Sequence, residues 1–235
     1  MWKICHENRF YVRRLELLFK CQIERELLKT RNINCRQLYD QLKKMISWNF
    51  LLNANFQVEK GLYCLKFKKV ENNFSLITEQ SLKSSQRFYY FEIDNINIME
   101  YNAGIGLGGK NFQLYENFIG YQSVVDKSPS YSYSSDGTIR SNSNKENIIY
   151  DPNDPNDTNS NLSWCGYNSV SMFYDSHTSV LSFFRDSNLI YSFVITLSSN
   201  QVYKPIVTLF STQQSFSLSD HISIPFPVMI DLLCI

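Results

Sequence analysis

Apolar positions recur about every four residues along the first fifty. Tyr11, Leu15, Phe19, Ile23 and Leu27, with Leu18 beside them, fall on one stripe of a helix. Arg13, Arg14, Glu24, Glu26 and Lys29 take the other faces. Asn32-Ile33-Asn34 interrupts the pattern, and Asn34 is placed to cap a second helix carrying Leu38, Leu42, Met45 and Ile46. A coiled-coil register meets Gln22 and Arg25 within three turns, so these helices are expected to dock on the rest of the chain or on a partner.

From about Phe56 the period shortens to two. Leu62–Phe67 and Phe74–Ile77 read as short strands, and Arg87–Ile93 as a stronger one with Phe88 and Tyr90 opposite Tyr89, Phe91 and Ile93. Further strands are predicted at Ala103–Leu107, Ser169–Tyr174, Val180–Arg185, Leu189–Val194, Ile206–Phe210 and His221–Ile224. Short strands separated by turns, with no helical stretch beyond residue 60, predict a mainly β protein: an antiparallel β-sandwich with an amino-terminal helical extension. The expected division is helices over 1–55, a sandwich over 56–226 and a strand-like tail over 227–235. Residues 141–161 are dominated by Asn, Asp, Ser and Pro, and are expected to form a long surface loop.

Composition sharpens this picture. Seventeen Phe and fifteen Tyr favour strands, because flat rings pack well on a pleated surface. A net charge of +1 offers no basic field for nucleic acid and no polybasic stretch for a membrane surface. Cys5, Cys21, Cys35, Cys64, Cys165 and Cys234 are widely spaced, without a Cys-x-x-Cys pair and far from His6, His177 and His221, so no metal site is expected. The first residues carry no apolar run of signal-peptide length, and no segment approaches the roughly 20 apolar residues that span a bilayer. These features predict a cytoplasmic or nuclear protein with reduced thiols.

Catalytic signals are thin. Gly104-Ile105-Gly106-Leu107-Gly108-Gly109 contains G-x-G-x-x-G, but Lys110–Tyr115 has no crossover-helix pattern to present a helix end to a pyrophosphate, so no cofactor is expected. Asp175-Ser176-His177 mixes triad residue types within one predicted hairpin turn, whereas triad members converge from separate parts of a fold. Glu92, Asp94 and Glu100 lack the spacing of an acid–base pair. A hydrolytic or carbohydrate-binding sandwich remains the alternative from another class, and it requires two acids facing one groove.

Six blocks in order carry a resemblance: Phe88–Ile93, Gly104–Leu107, Tyr131–Gly137, Cys165–Asn168, Val180–Asp186 and Tyr203–Val207. The stretch from about 62 to 226 resembles the SPRY domain, nearest the type found in Ran-binding scaffold proteins and ubiquitin-ligase subunits. Trp164 stands where that family commonly has Gly, Tyr121 where it often has Trp, and Ser187 replaces the hairpin glycine. The resemblance implies a concanavalin-like jelly roll that binds a protein or peptide through loops at one end, without catalysis. It also implies a second role, as the recognition or scaffold subunit of a multisubunit ubiquitin ligase. On this reading Gln86, Arg87, Tyr121, Tyr131 and Tyr133 face the partner: tyrosines supply contact area at little entropic cost, and Arg87 offers a fork of donors. Trp164 is expected in the core and Asp136-Gly137 in a turn.

Overall fold

The computed structural model describes residues 2–49, 56–60, 65–69, 74–82, 85–97, 103–109, 130–141, 148–150, 162–197, 202–209 and 214–233. Most of the predicted 141–161 loop lies outside them, but it is not one continuous loop: Ser141 ends one strand and Ile148–Tyr150 form another, antiparallel to it, because Ile148, Ile149 and Tyr150 interrupt the polar run with strand-forming residues. Three helices open the chain: α1 (Trp2–Phe19), α2 (Arg25–Thr30) and α3 (Cys35–Ile46). The four-residue stripe buries Leu15, Leu18 and Phe19 on α1. It does not run on as one helix, because Lys20 turns left-handed at φ 49° and Ile23 is buried in the connection to α2. Asn34 caps α3 as its position predicts, its side chain accepting the Gln37 N–H at 3.1 Å. Leu38, Leu42, Met45 and Ile46 are all buried.

Strands fill most of the remainder. In the first half they are β1 (Phe56–Lys60), β2 (Leu65–Lys69), β3 (Phe74–Ile77), β4 (Phe88–Asn97) and β5 (Ala103–Gly109). The middle holds β6 (Tyr131–Ser134), β7 (Ile139–Ser141) and β8 (Ile148–Tyr150). Toward the carboxyl end come β9 (Ser169–Asp175), β10 (Val180–Arg185), β11 (Asn188–Val194), β12 (Tyr203–Leu209) and β13 (Ser215–Leu218), then the helix α4 (Phe226–Leu232). The described strands form two antiparallel sheets, one in the order β1-β2-β13-β4-β9-β10-β11, the other β3-β12-β5-β6-β7-β8. No helix among the described residues is long and apolar enough to cross a membrane, and Cys21, Cys35 and Cys165 are free thiols.

Alternation along β4 feeds two cores. Tyr89, Phe91 and Ile93 point between the sheets, where they meet Ile105, Tyr133, Trp164 and Phe183. Phe88 and Tyr90 point the other way and, with Phe173 and Phe184, pack under Leu15, Leu42, Met45 and Met229 of the helices. Each ring fully buried there stabilises the fold by about 1.5–3 kcal/mol. The amino-terminal helices therefore dock on the outer face of the seven-stranded sheet. Trp48 joins the two cores: it packs against Tyr89 and Phe91 and donates its indole N–H to the Tyr90 carbonyl at 2.6 Å.

Three other expectations change. The carboxyl tail is helical, because Pro225 and Pro227 set the first turn while Phe226, Met229, Ile230 and Leu233 recur at helical spacing and are buried against α1. The predicted strand at His221–Ile224 is a coil; Ser215–Leu218 takes the sheet position instead, pairing with both β2 and β4. Tyr131–Ser134, assigned to a loop by the resemblance, is a strand between β5 and β7. At the β10–β11 hairpin, Asp186 and Ser187 adopt φ 43° and 75°, the positive pair required by a two-residue I′ turn. The Asp186 carboxylate offsets the missing glycine by accepting the backbone N–H groups of Asn168 and Ser169, at 3.0 and 2.8 Å.

Gly106 sits where β5 and β6 approach most closely. A Cβ there would lie 1.9 Å from the Tyr131 carbonyl oxygen and 2.9 Å from the Ser132 Cα, both backbone atoms. Gly106 thus serves the close packing of β5 on β6. Beneath the helices, Glu92 is buried beside Tyr90; it accepts the Tyr90 hydroxyl and the Ser223 N–H on Oε2, while Oε1 has no partner among the described residues. Burial raises the Glu92 carboxyl above its ordinary value, and the hydrogen bonds from Tyr90 and Ser223 only partly oppose it. Asp94, next on that face, is also raised by burial, against the pull of His221 at 3.5 Å.

Gly106→Ala is expected to destabilise the protein by at least about 3 kcal/mol, read from urea unfolding. An unchanged midpoint would refute the close approach of β5 and β6. For Glu92, the folded carboxyl binds its proton more tightly than the unfolded one. Folding stability therefore falls as pH rises above the ordinary carboxyl value of 4.5 toward the raised folded value. Glu92→Gln is expected to flatten that decline and raise stability at pH 7, measured by thermal unfolding across pH 4–8. A variant less stable than wild type at pH 7 would contradict it.

Candidate functional site

The carboxyl end of α3 and the segment entering β4 stand apart and leave a groove of about 1150 Å³. One wall is helical, and its exposed side chains follow from the period of α3: Leu38, Leu42 and Met45 face the sheet, which leaves Gln37, Lys43 and Lys44 outward and Gln41 half-buried. The opposite wall is the loop before β4, with Gln80, Ser85, Gln86 and Arg87. Met45, Trp48, Phe88 and Tyr89 form the floor. Their burial for the sake of the two cores makes the floor rigid.

Hydrogen bonds hold the walls. The Asn49 N–H donates to the Gln80 side-chain oxygen at 2.7 Å, and the Glu79 N–H to the Asn49 carbonyl at 2.6 Å, which zips the exit of α3 to the loop. The Lys204 ammonium reaches the carbonyls of Thr78 and Glu79 from β12, at 3.1 and 2.8 Å. At the other end Arg87 donates from Nε and Nη2 to the two carboxylate oxygens of Asp175, at 3.1 and 3.0 Å, and lies 4.4 Å from the centre of the Phe88 ring. Burial by itself raises the Asp175 carboxyl, but the bonds from Arg87 and from the His177 N–H outweigh it and hold the carboxyl below its ordinary value. The bond from His177 closes an Asx-type turn, so Asp175-Ser176-His177 is turn chemistry, as its composition predicts.

The predicted partner-facing residues divide. Gln86 and Arg87 both line the groove. Gln86 donates its side-chain amide to the Phe88 carbonyl at 2.7 Å, and the Arg87 fork is engaged by Asp175, so both position the loop as well as border the site. Tyr131 and Tyr133 are corrected: they are 2% and 0% exposed. Standing on β6, they alternate inward between the sheets. Tyr131 donates its hydroxyl to the Thr196 carbonyl at 2.9 Å, and Tyr133 donates to the Leu162 carbonyl. Tyr133 packs against Trp164 and Phe183, and its hydroxyl is pushed well above its ordinary value by burial. Neither ring has a surface to offer. Tyr121 lies outside the described residues. Trp164 is wholly buried, and Asp136-Gly137 forms a turn in which Asp136 accepts the Thr138 N–H at 2.9 Å, both as predicted.

Sequence reasoning missed the helical wall. Gln37, Gln41, Lys43 and Lys44 read as the solvated face of a docked helix, which is also what they are. A signal was available in the charge distribution. Residues 1–49 carry eleven Lys and Arg against five Asp and Glu, a net +6, so the rest of a chain with net charge +1 carries −5. Chemically, the groove offers amide, hydroxyl and ammonium groups that can bind. Asp40 is its only carboxylate among the described lining residues, one short of the acid pair that glycoside hydrolysis needs. Among the described residues no group of His, Cys, Asp or Glu is arranged to hold a metal ion.

No protein-family model matches the sequence. No curated protein matches it either. Solved structures do. The chain is similar to the crystal structure of the TRIM65 PSpry domain, with a TM-score of 0.51 at 12% identity over 80% of this chain and 97% of that one. It is also matched by the stonustoxin structure, with a TM-score of 0.47 at 14% identity over 72% of this chain and 27% of that one. A human SPRY domain gives a TM-score of 0.45 at 13% identity over 76% and 99%. The two antiparallel sheets and the likeness to the TRIM65 domain together show that this chain has the SPRY-type β-sandwich fold.

Proposed function

We propose that the chain is a non-enzymatic interaction module that binds a segment of a partner protein in the groove between α3 and the loop entering β4. The observation that carries this reading is the groove itself: a rigid apolar floor under two walls of exposed amide, hydroxyl and ammonium groups. Walls fixed before binding lower the ordering cost of recognition. Gln86 and Arg87, singled out by the resemblance, border the groove; Tyr131 and Tyr133 play no part in it. The SPRY-type fold supports the same reading, as a scaffold of strands that presents loops.

A second reading draws on α1. Phe10 and Leu17 stand two turns apart on its outer face and remain 52% and 61% exposed, an apolar pair left over after the helix has docked. That face suits a contact within a multisubunit assembly such as a ubiquitin ligase.

Gln37→Trp combined with Ser85→Trp fills the groove from its two exposed walls and leaves the cores untouched. Affinity purification with mass spectrometry is expected to lose the partners recovered by the unaltered chain, with the melting temperature preserved. Retention of every partner by the folded double variant would sink the groove as the binding site. For the second reading, Leu17→Glu is expected to shift the chain in cell extract from a large complex to a smaller species on gel filtration. An unaltered elution profile would end it.

A further inference from the structure

We propose that the segment taken by this groove is acidic and extended, its carboxylates set against Lys43 and Lys44 and its backbone running along the glutamines. The inference rests on the groove being the binding site. Among the described lining residues, Lys43, Lys44 and Arg87 stand against one carboxylate, Asp40. Arg87 is neutralised by Asp175, which leaves two lysines over Asp40 as the local balance. Neither lysine ammonium meets a carboxylate among the described residues.

The field behind them has the same sign. Residues 9–49, the helical layer to which the α3 wall belongs, carry ten Lys and Arg against four Asp and Glu, a net +6. A cleft walled by low-dielectric protein focuses such a field, attracting a negatively charged segment and disfavouring a basic one. Gln37 and Gln41 on one wall and Gln86 on the other each carry a donor and an acceptor, the pairing that the N–H and C=O groups of an extended chain require. Single-stranded nucleic acid, also negative, fits less well. Its bases need open aromatic faces, and Trp48, Phe88 and Tyr89 are only 7%, 6% and 3% exposed.

The test is a selection from displayed random peptides of about 12 residues, using the full chain in four forms: unaltered, Lys43→Glu/Lys44→Glu, Lys43→Arg/Lys44→Arg, and the Trp-filled groove. The unaltered chain is expected to enrich peptides of net negative charge. By fluorescence polarisation these should lose at least about tenfold in affinity on charge reversal, keep it in the arginine form, and weaken between about 50 and 300 mM salt. If the enriched pool has the charge of the starting library, or charge reversal leaves affinity unchanged, the acidic segment is refuted. Provided the Trp-filled form still abolishes enrichment, the groove itself survives that result. Equal enrichment by the Trp-filled form, or no enrichment by the unaltered chain, sinks groove and segment together. A labelled oligouridine of about 20 nucleotides that binds more tightly than the selected peptides would overturn the proposal in favour of RNA.

Discussion

β4 is buried on both of its faces, and the rest of the molecule is arranged around that constraint. A strand at the surface of a sandwich needs apolar residues on one side only. Here Phe88 and Tyr90 alternate with Tyr89, Phe91 and Ile93, so that neither side can be left to water. The second sheet covers one set. The helices must cover the other, and α1, α3 and α4 are drawn from opposite ends of the chain to do it. The helical extension is thereby part of the fold's own packing.

The groove proposed as the binding site follows from this same packing. α3 lies on β4, and Trp48 plugs the corner where the helix leaves the sheet, so the gap between helix and loop has a floor that cannot collapse. Arg87 and Asp175 fix the far lip across the β4–β9 pair. The proposed recognition chemistry falls to lining residues the cores do not use: glutamines, serines and two lysines. Lys43 and Lys44, backed by the other basic residues of the helical layer, would give the groove a positive sign.

Burial of polar groups beneath the helical layer runs against stability. Glu92 and Asp94 continue the face of Phe88 and Tyr90, and they meet the coil at 219–223 through Ser223 and His221. A carboxyl group kept there with one oxygen unpartnered among the described residues costs free energy, which the surrounding aromatic packing offsets. What that cost secures is register: Oε2 of Glu92 ties β4 to the coil that delivers α4.

Much was legible in the chain before any coordinates. A period of four predicts the buried stripes of α1 and α3, Asn34 announces its cap, and the two-residue alternation of 88–93 marks the central strand. These are local facts, settled by backbone geometry and by which side chains avoid water. Tertiary structure decided the rest. Tyr131 and Tyr133 looked like recognition residues because a tyrosine suits either a core or a surface, and only the pairing of β6 with β5 turns both inward. The tail beyond Pro225 was too short for its helical period to outweigh its β-rich surroundings until it found α1 to pack on. Lys43 and Lys44 were ordinary helix-surface cations in sequence. They became the wall of a groove because residues 40 positions downstream fold back to face them, a distance over which no local pattern carries information.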